Sequence, residues 1–176
     1  IAYWNYERSA CGGADDGSLT QNQMGATLRS QNESLDFALL ELSQQPQAAF
    51  NVFWAGWDAR GRAAQSGAGV HHPGGEEKII SIFSTPLRKQ RPTPDFNNND
   101  YWRVIWSDGV TAEGSSGSGL FDSSRRVVGQ LSRGSSACNS ADSPSAESFP
   151  DFYGAFDQAW LVNGQDNGQL AAWLDA

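Results

Sequence analysis

The sequence predicts an all-β protein, a barrel or sandwich finished by one C-terminal helix. Three observations carry this reading. Seven Trp, nine Phe and nineteen Gly in 176 residues favour strands joined by tight turns over a helical bundle. The apolar runs are short and punctuated by Gly, Pro, Asn and Ser. Helical spacing of apolar residues is clearest at the C-terminus, and no internal repeat is present.

Each element follows from its local pattern. Residues 1–6 read as an aromatic strand, 12–18 (GGADDGS) as a polar turn-rich loop, and 24–29 as a strand. Residues 36–42 (DFALLEL) form a dense apolar run, too short for a helix and soon closed by Pro46, and read as a buried strand. After a short connection at 43–49, residues 50–57 (FNVFWAGW) read as a strand with bulky aromatics. Residues 63–69 are small and flexible, and 70–83 read as two strands around a Pro73-Gly74-Gly75 turn. Residues 85–100 read as an exposed loop and 101–106 (YWRVIW) as a strong strand, followed by a Gly/Ser-rich stretch at 107–118. Residues 119–121 and 126–131 form a hairpin, 132–150 a long loop containing Cys138, and 152–156 a short strand. Residues 167–174 suit a helix with Leu170, Trp173 and Leu174 on one face.

Charge narrows the function. Twelve Lys and Arg against twenty Asp and Glu give a net charge of −8. A nucleic-acid surface needs clustered basic charge, and an anionic membrane surface needs the same, so neither partner is expected. No stretch approaches the ~20 apolar residues of a membrane span. Cys11 and Cys138 are too few for a disulfide scaffold and have no Cys-x-x-Cys spacing; one disulfide or two free thiols fit them.

Four places could carry chemistry. Gly114-Ser115-Ser116-Gly117-Ser118-Gly119 runs straight into Leu120-Phe121. Such runs are most often flexible loops, but strand-like segments bound this one and an apolar pair anchors it. Flanking glycines permit the tight turn that exposes a nucleophilic hydroxyl beside free backbone N–H groups. Asp36 opens an apolar run, where a carboxylate needs a partner and could orient a histidine; a turn aspartate is the bland alternative. The two histidines, His71 and His72, read as strand-end residues that pack and hydrogen-bond. A general base is the alternative for either. A metal site with Glu76 or Glu77 lacks the helical H-E-x-x-H spacing, so no metal or cofactor is expected. Asp151, among aromatics after Pro150, could line a pocket for a cationic side chain or be a plain loop acid.

The stretches YWNY, SLDFALLEL, FNVFWAGWD, GVHHPGGEEKIIS, GVTAEGSSGSGLFD, RRVVGQLSRGSSAC, DFYGAF and LAAWLD, in that order, resemble the secreted bacterial serine endopeptidases of the lysyl endopeptidase type. These belong to the trypsin-like superfamily. The resemblance implies a trypsin-like double β-barrel with a C-terminal helix. Residues 1–47 would be the tail of the first barrel and 48–176 the second. It implies Ser116 as nucleophile, Gly114 and Ser116 as backbone donors of the oxyanion hole, and Asp36 as the acid that orients the catalytic His. It places Asp151 at the base of a pocket selecting Lys, or Arg as well. His71-His72-Pro73 would be a structural motif, and Ser132 stands where a lysyl endopeptidase can carry His. The family's catalytic His lies in a Thr-Ala-Ala-His-Cys-like motif, which this sequence does not contain. The chain therefore reads as a fragment, inactive alone, whose partners are a peptide substrate with a basic residue and a missing N-terminal segment. The family also tends to bridge the cysteines matching Cys11 and Cys138 to that segment. An extracellular location is implied. A non-catalytic, protease-like peptide-binding module is the alternative, and a metal-dependent hydrolase built on the histidines ranks below it.

Overall fold

A computed structural model of the chain describes residues 1–94, 100–137, 149–161 and 169–175. Strands β1 (Ala2–Tyr3) and β2 (Asn22–Gln23) form a small ribbon. Strands β3 (Ala26–Asn32) and β4 (Phe37–Leu42) form an antiparallel hairpin. The main body comprises β5 (Gly67–His71), β6 (Ile79–Phe83), β7 (Arg88–Gln90), β8 (Tyr101–Val104), β9 (Gly119–Asp122), β10 (Val127–Gly134) and β11 (Asp151–Ala155). These seven make one antiparallel sheet in the order β6-β5-β9-β10-β11-β8-β7. An isolated bridge between Ile82 and Asp108 brings edge strand β6 onto the segment after β8, so the sheet curls back on itself. Helices α1 (Phe156–Trp160) and α2 (Ala171–Leu174) follow.

Period-two alternation sorts the side chains. In β6, Ser81 and Phe83 point inward while Ile80 and Ile82 face out. The curled sheet encloses Phe83, Val104, Trp106, Leu120, Val128, Leu131 and Tyr153. Trp106 meets both Phe83 and Tyr153 edge to face, which the ring quadrupoles favour. Strand β11 is buried at every residue. A second core lies between the hairpin and the helices, where Leu35 and Phe37 pack with Phe156, Ala159 and Leu170.

The structure departs from the sequence reading in identifiable ways. Residues 50–57 are not a strand. A 3-10 turn (Ala48–Phe50) ends in left-handed Asn51, and Phe53 and Trp54 stay about 70% exposed, at 72% and 70%. The segment is fastened instead by a bridge from Trp57 to Val127 and by Asp58, which pairs with Arg60 and Arg126. Residues 37–42 are a strand, but only a half-buried one, because β3 is its sole partner among the described residues. Strand β7 lies inside the expected 85–100 loop, β10 runs on to Gly134, and β11 turns directly into α1. Cys11 is exposed and has no disulfide partner among the described residues. Cys138, most of the 132–150 loop and the start of the 167–174 segment lie outside the described residues.

One glycine couples the two cores. The hairpin tip crosses β11 at Gly154, where an added Cβ would overlap both Gln130 Nε2 and the Leu35 carbonyl. Gly154→Ala is therefore expected to cost ~1–3 kcal/mol, as overpacking does, and calorimetry should record a Tm lower by several degrees.

Candidate active site

The hairpin tip delivers Asp36. Leu35 buries beneath it, and Asn32 Oδ1 accepts the Leu35 N–H at 3.1 Å, closing the turn. Asp36 has φ 53°, a left-handed conformation that aspartate tolerates better than most residues. Three side chains of the main sheet then pin the tip. Tyr101 Oη donates to the Ser34 carbonyl at 2.8 Å, and Gln130 Nε2 to the Leu35 carbonyl at 3.1 Å. Ser132 Oγ donates to Asp36 Oδ2 at 2.7 Å. The carboxylate is exposed but fixed.

Ser116 sits on the turn entering β9. Gly114 and Gly117 on either side have φ 90° and 81°, conformations closed to most L-residues. The turn is held by Ser115 N–H to Ala112 O (3.0 Å), Ser118 N–H to Ser115 O (3.1 Å) and Gly117 N–H to Leu131 O (2.7 Å). The N–H groups of Gly114 and Ser116 have no acceptor among the described residues. The three serines of the run differ in kind. Ser115 is buried and hydrogen-bonded, Ser118 is half-buried, and Ser116 is exposed. Asp36 and Ser116, eighty positions apart, line one cleft of about 480 Å³ with Gln31, Phe37, Gly117 and Gln130.

Neither histidine joins them. His71 is buried, with Nδ1 2.9 Å from Ser115 Oγ and Nε2 3.0 Å from Ser81 Oγ. His72 Nδ1 bonds the Glu76 carbonyl, and its ring stacks on Tyr6. The general-base reading of either is thereby overturned for this cleft, since both rings are committed elsewhere. Burial pushes the His71 pKa below its ordinary value; the Asp151 charge opposes this and His72 adds to it. The unfolded chain, with His near 6.5, then binds a proton that the folded chain refuses. Stability should fall as pH drops below about 6.5, and melts of His71→Gln should show a flatter profile between pH 7 and 5.5.

Asp151 does not line the cleft. It is fully buried where β11 pairs with Gly134, whose missing Cβ leaves room for the carboxylate. Its Oδ2 accepts from Trp106 Nε1 (2.6 Å), Thr111 Oγ1 (2.7 Å) and Ser136 Oγ (2.7 Å). Its Oδ1 accepts the Ser136 N–H at 3.3 Å and, among the described residues, no other donor. Sequence reasoning missed Trp106, Thr111 and Ser136, and gave Ser132 a different place. No local pattern marks them, because their partners lie fifteen to ninety-six positions away.

Comparison with known proteins adds the family context. The family described as lysyl endopeptidase, C-terminal domain, matches residues 1–154. A lysyl endopeptidase from Pseudomonas aeruginosa is 34% identical over 164 residues, covering 88% of this chain and 34% of that protein. The chain thus spans about a third of the length of the curated relative it matches. Among solved structures, the active form of the Rv3671c protease from M. tuberculosis aligns with TM-score 0.51 and 17% identity, covering 78% of this chain and 56% of the other. An inactive form aligns with TM-score 0.50 and 18% identity, covering 88% and 67%. These two carry the fold alone: mostly β, of the trypsin-like protease kind, with a seven-stranded antiparallel sheet that fits a β-barrel domain.

Proposed function

Because this chain belongs to the lysyl endopeptidase family, we propose that it carries the nucleophile and the specificity carboxylate of a serine endopeptidase that cleaves after lysine. The observation that carries the reading is the shared cleft of Asp36 and Ser116, beside two N–H groups that have no acceptor among the described residues. As Ser116 Oγ attacks the scissile carbonyl, its proton passes to an imidazole seated between it and Asp36. Asp36, oriented by Ser132, accepts the other imidazole N–H and fixes the tautomer. The carbonyl oxygen gains negative charge and takes hydrogen bonds from Gly114 and Ser116 N–H. The imidazole then returns the proton to the leaving amine. Both histidines of the 176 residues are committed elsewhere, so the base comes from outside them. The 26–42 hairpin, as part of a first barrel, would be the element that such a segment completes.

Lysine selectivity draws its support from Asp151. Three donors saturate Oδ2, leaving Oδ1 with one long bond. A lysine ammonium would answer this buried charge as a compact point charge, whereas the two-pronged fork of arginine would find no pair of free oxygens, since Oδ2 is saturated and Oδ1 packs against Gly134. An extracellular location is proposed on the family resemblance alone. The missing imidazole also favours a second reading, a peptide-binding module without chemistry.

Lysyl and arginyl esters offered to the full-length protein separate these readings. Turnover of the lysyl ester, faster than the arginyl and absent from the 176 residues alone, is the expected result. Binding without turnover by the full-length protein would select the module instead.

A further inference from the structure

We propose that His71 is a positioning residue for the oxyanion turn, acting through Ser115 to fix the N–H groups of Gly114 and Ser116, an inference that rests on Ser116 being the nucleophile. The hydrogen-bond directions around His71 leave one arrangement. The Val110 carbonyl can only accept, so the Ser81 hydroxyl spends its single proton there, at 3.0 Å. His71 Nε2 must then be the protonated nitrogen and donate to Ser81 Oγ. Nδ1 is left with a lone pair, which accepts the Ser115 hydroxyl proton. Ser115 Oγ in turn accepts the Ala112 N–H at 3.3 Å. One directed chain thus runs from the Ala112 amide through Ser115, His71 and Ser81 to Val110. It clamps Ser115 by its side chain while the Ser115 N–H is held by Ala112 O.

The consequence reaches both donors. The Ser116 N–H belongs to the peptide that follows Ser115, so the clamp on Ser115 sets its direction. The Gly114 N–H belongs to the peptide whose carbonyl is Glu113 O, and that oxygen accepts the Gly74 N–H at 2.7 Å. In a trans peptide the carbonyl and the N–H point opposite ways, so fixing Glu113 O aims the Gly114 N–H away from the 73–75 turn. Gly114 also lies flat against that turn, where a Cβ would come within 2.9 Å of Gly74 N. The end of β5 and the turn it leads into therefore brace both N–H groups. His71 touches neither substrate nor nucleophile; burial keeps it neutral and its lone pair available.

The test is lysyl-ester turnover by the full-length protein, with Ser116→Ala as the reference. His71→Gln and Ser115→Ala should each lower kcat by about 10- to 100-fold with little change in KM, the loss expected when a fixed donor is misplaced. The double variant should lose no more than the larger single loss, because both act through one hydrogen bond. Turnover that depends on Ser116 but survives His71→Gln overturns the positioning role alone, as do losses that multiply in the double variant. Turnover indifferent to Ser116→Ala overturns the nucleophile reading and this inference with it. Nitrogen-15 spectra of the unaltered protein give a readout that needs no variant to fold. The proton should reside on Nε2 of His71, and a proton on Nδ1 at neutral pH would sink the proposal.

Discussion

Ser116→Ala is expected to remove about 10⁶-fold of kcat on a lysyl ester, while Ser118→Ala is expected to change it little. The run from Gly114 to Gly119 offers three hydroxyls, and their surroundings separate them. Ser115 Oγ is buried and donates to His71, so no substrate carbonyl can reach it. Ser118 Oγ is buried, on the side of the core where Tyr153 lies. Ser116 is exposed, follows a left-handed glycine, precedes another, and shares its cleft with Asp36. An alkylphosphonate that traps serine nucleophiles should label the protein once, and peptide mapping should place the adduct on Ser116. An adduct on Ser115 or Ser118, or full activity in Ser116→Ala, would remove the assignment. Asp36→Asn is the companion change. It keeps the shape of the hairpin tip but offers the imidazole the wrong partner, and its expected cost is about 10⁴-fold.

The second large effect is at Asp151. Asp151→Asn is expected to lower kcat/KM for lysyl substrates by about 10⁴-fold, with a far smaller change for substrates lacking a cation. The physical reason is the charge of the buried carboxylate. Trp106, Thr111 and Ser136 hold Oδ2 in place, and the fixed negative charge is what would draw a lysine ammonium. Asparagine preserves the volume, so the loss reports charge more than packing. Trp106→Phe offers a graded control. It deletes one of three donors and should weaken lysine preference by much less, because Thr111 and Ser136 still hold the carboxylate. Unchanged selectivity in Asp151→Asn would take this residue out of recognition.

How far the sequence reaches can be argued from single residues. The Gly/Ser turn, the apolar anchor at Leu120 and the Pro73-Gly74-Gly75 turn were all legible, because each depends on backbone freedom and short-range spacing. The aromatic run at 50–57 misled for the same reason. Its β-propensity is strong, but a strand also needs a neighbour to pair with, and among the described residues only Trp57 finds one. Helix α1 was hidden because Phe156 and Ala159 serve the second core, and their spacing is readable only once the hairpin is known to pack there.

Composition and local pattern by themselves determined the class of the protein: many short strands, an acidic surface without basic clusters, and a tight turn presenting serines. Only the tertiary structure decided what each polar group faces. It put Ser132 on Asp36, three donors on one oxygen of Asp151, and His71 beneath Ser115 instead of in the cleft. Turns and strands are set by neighbours in the chain, whereas a buried polar atom takes its partner from whatever segment the packed sheet brings within 3 Å, however distant in sequence.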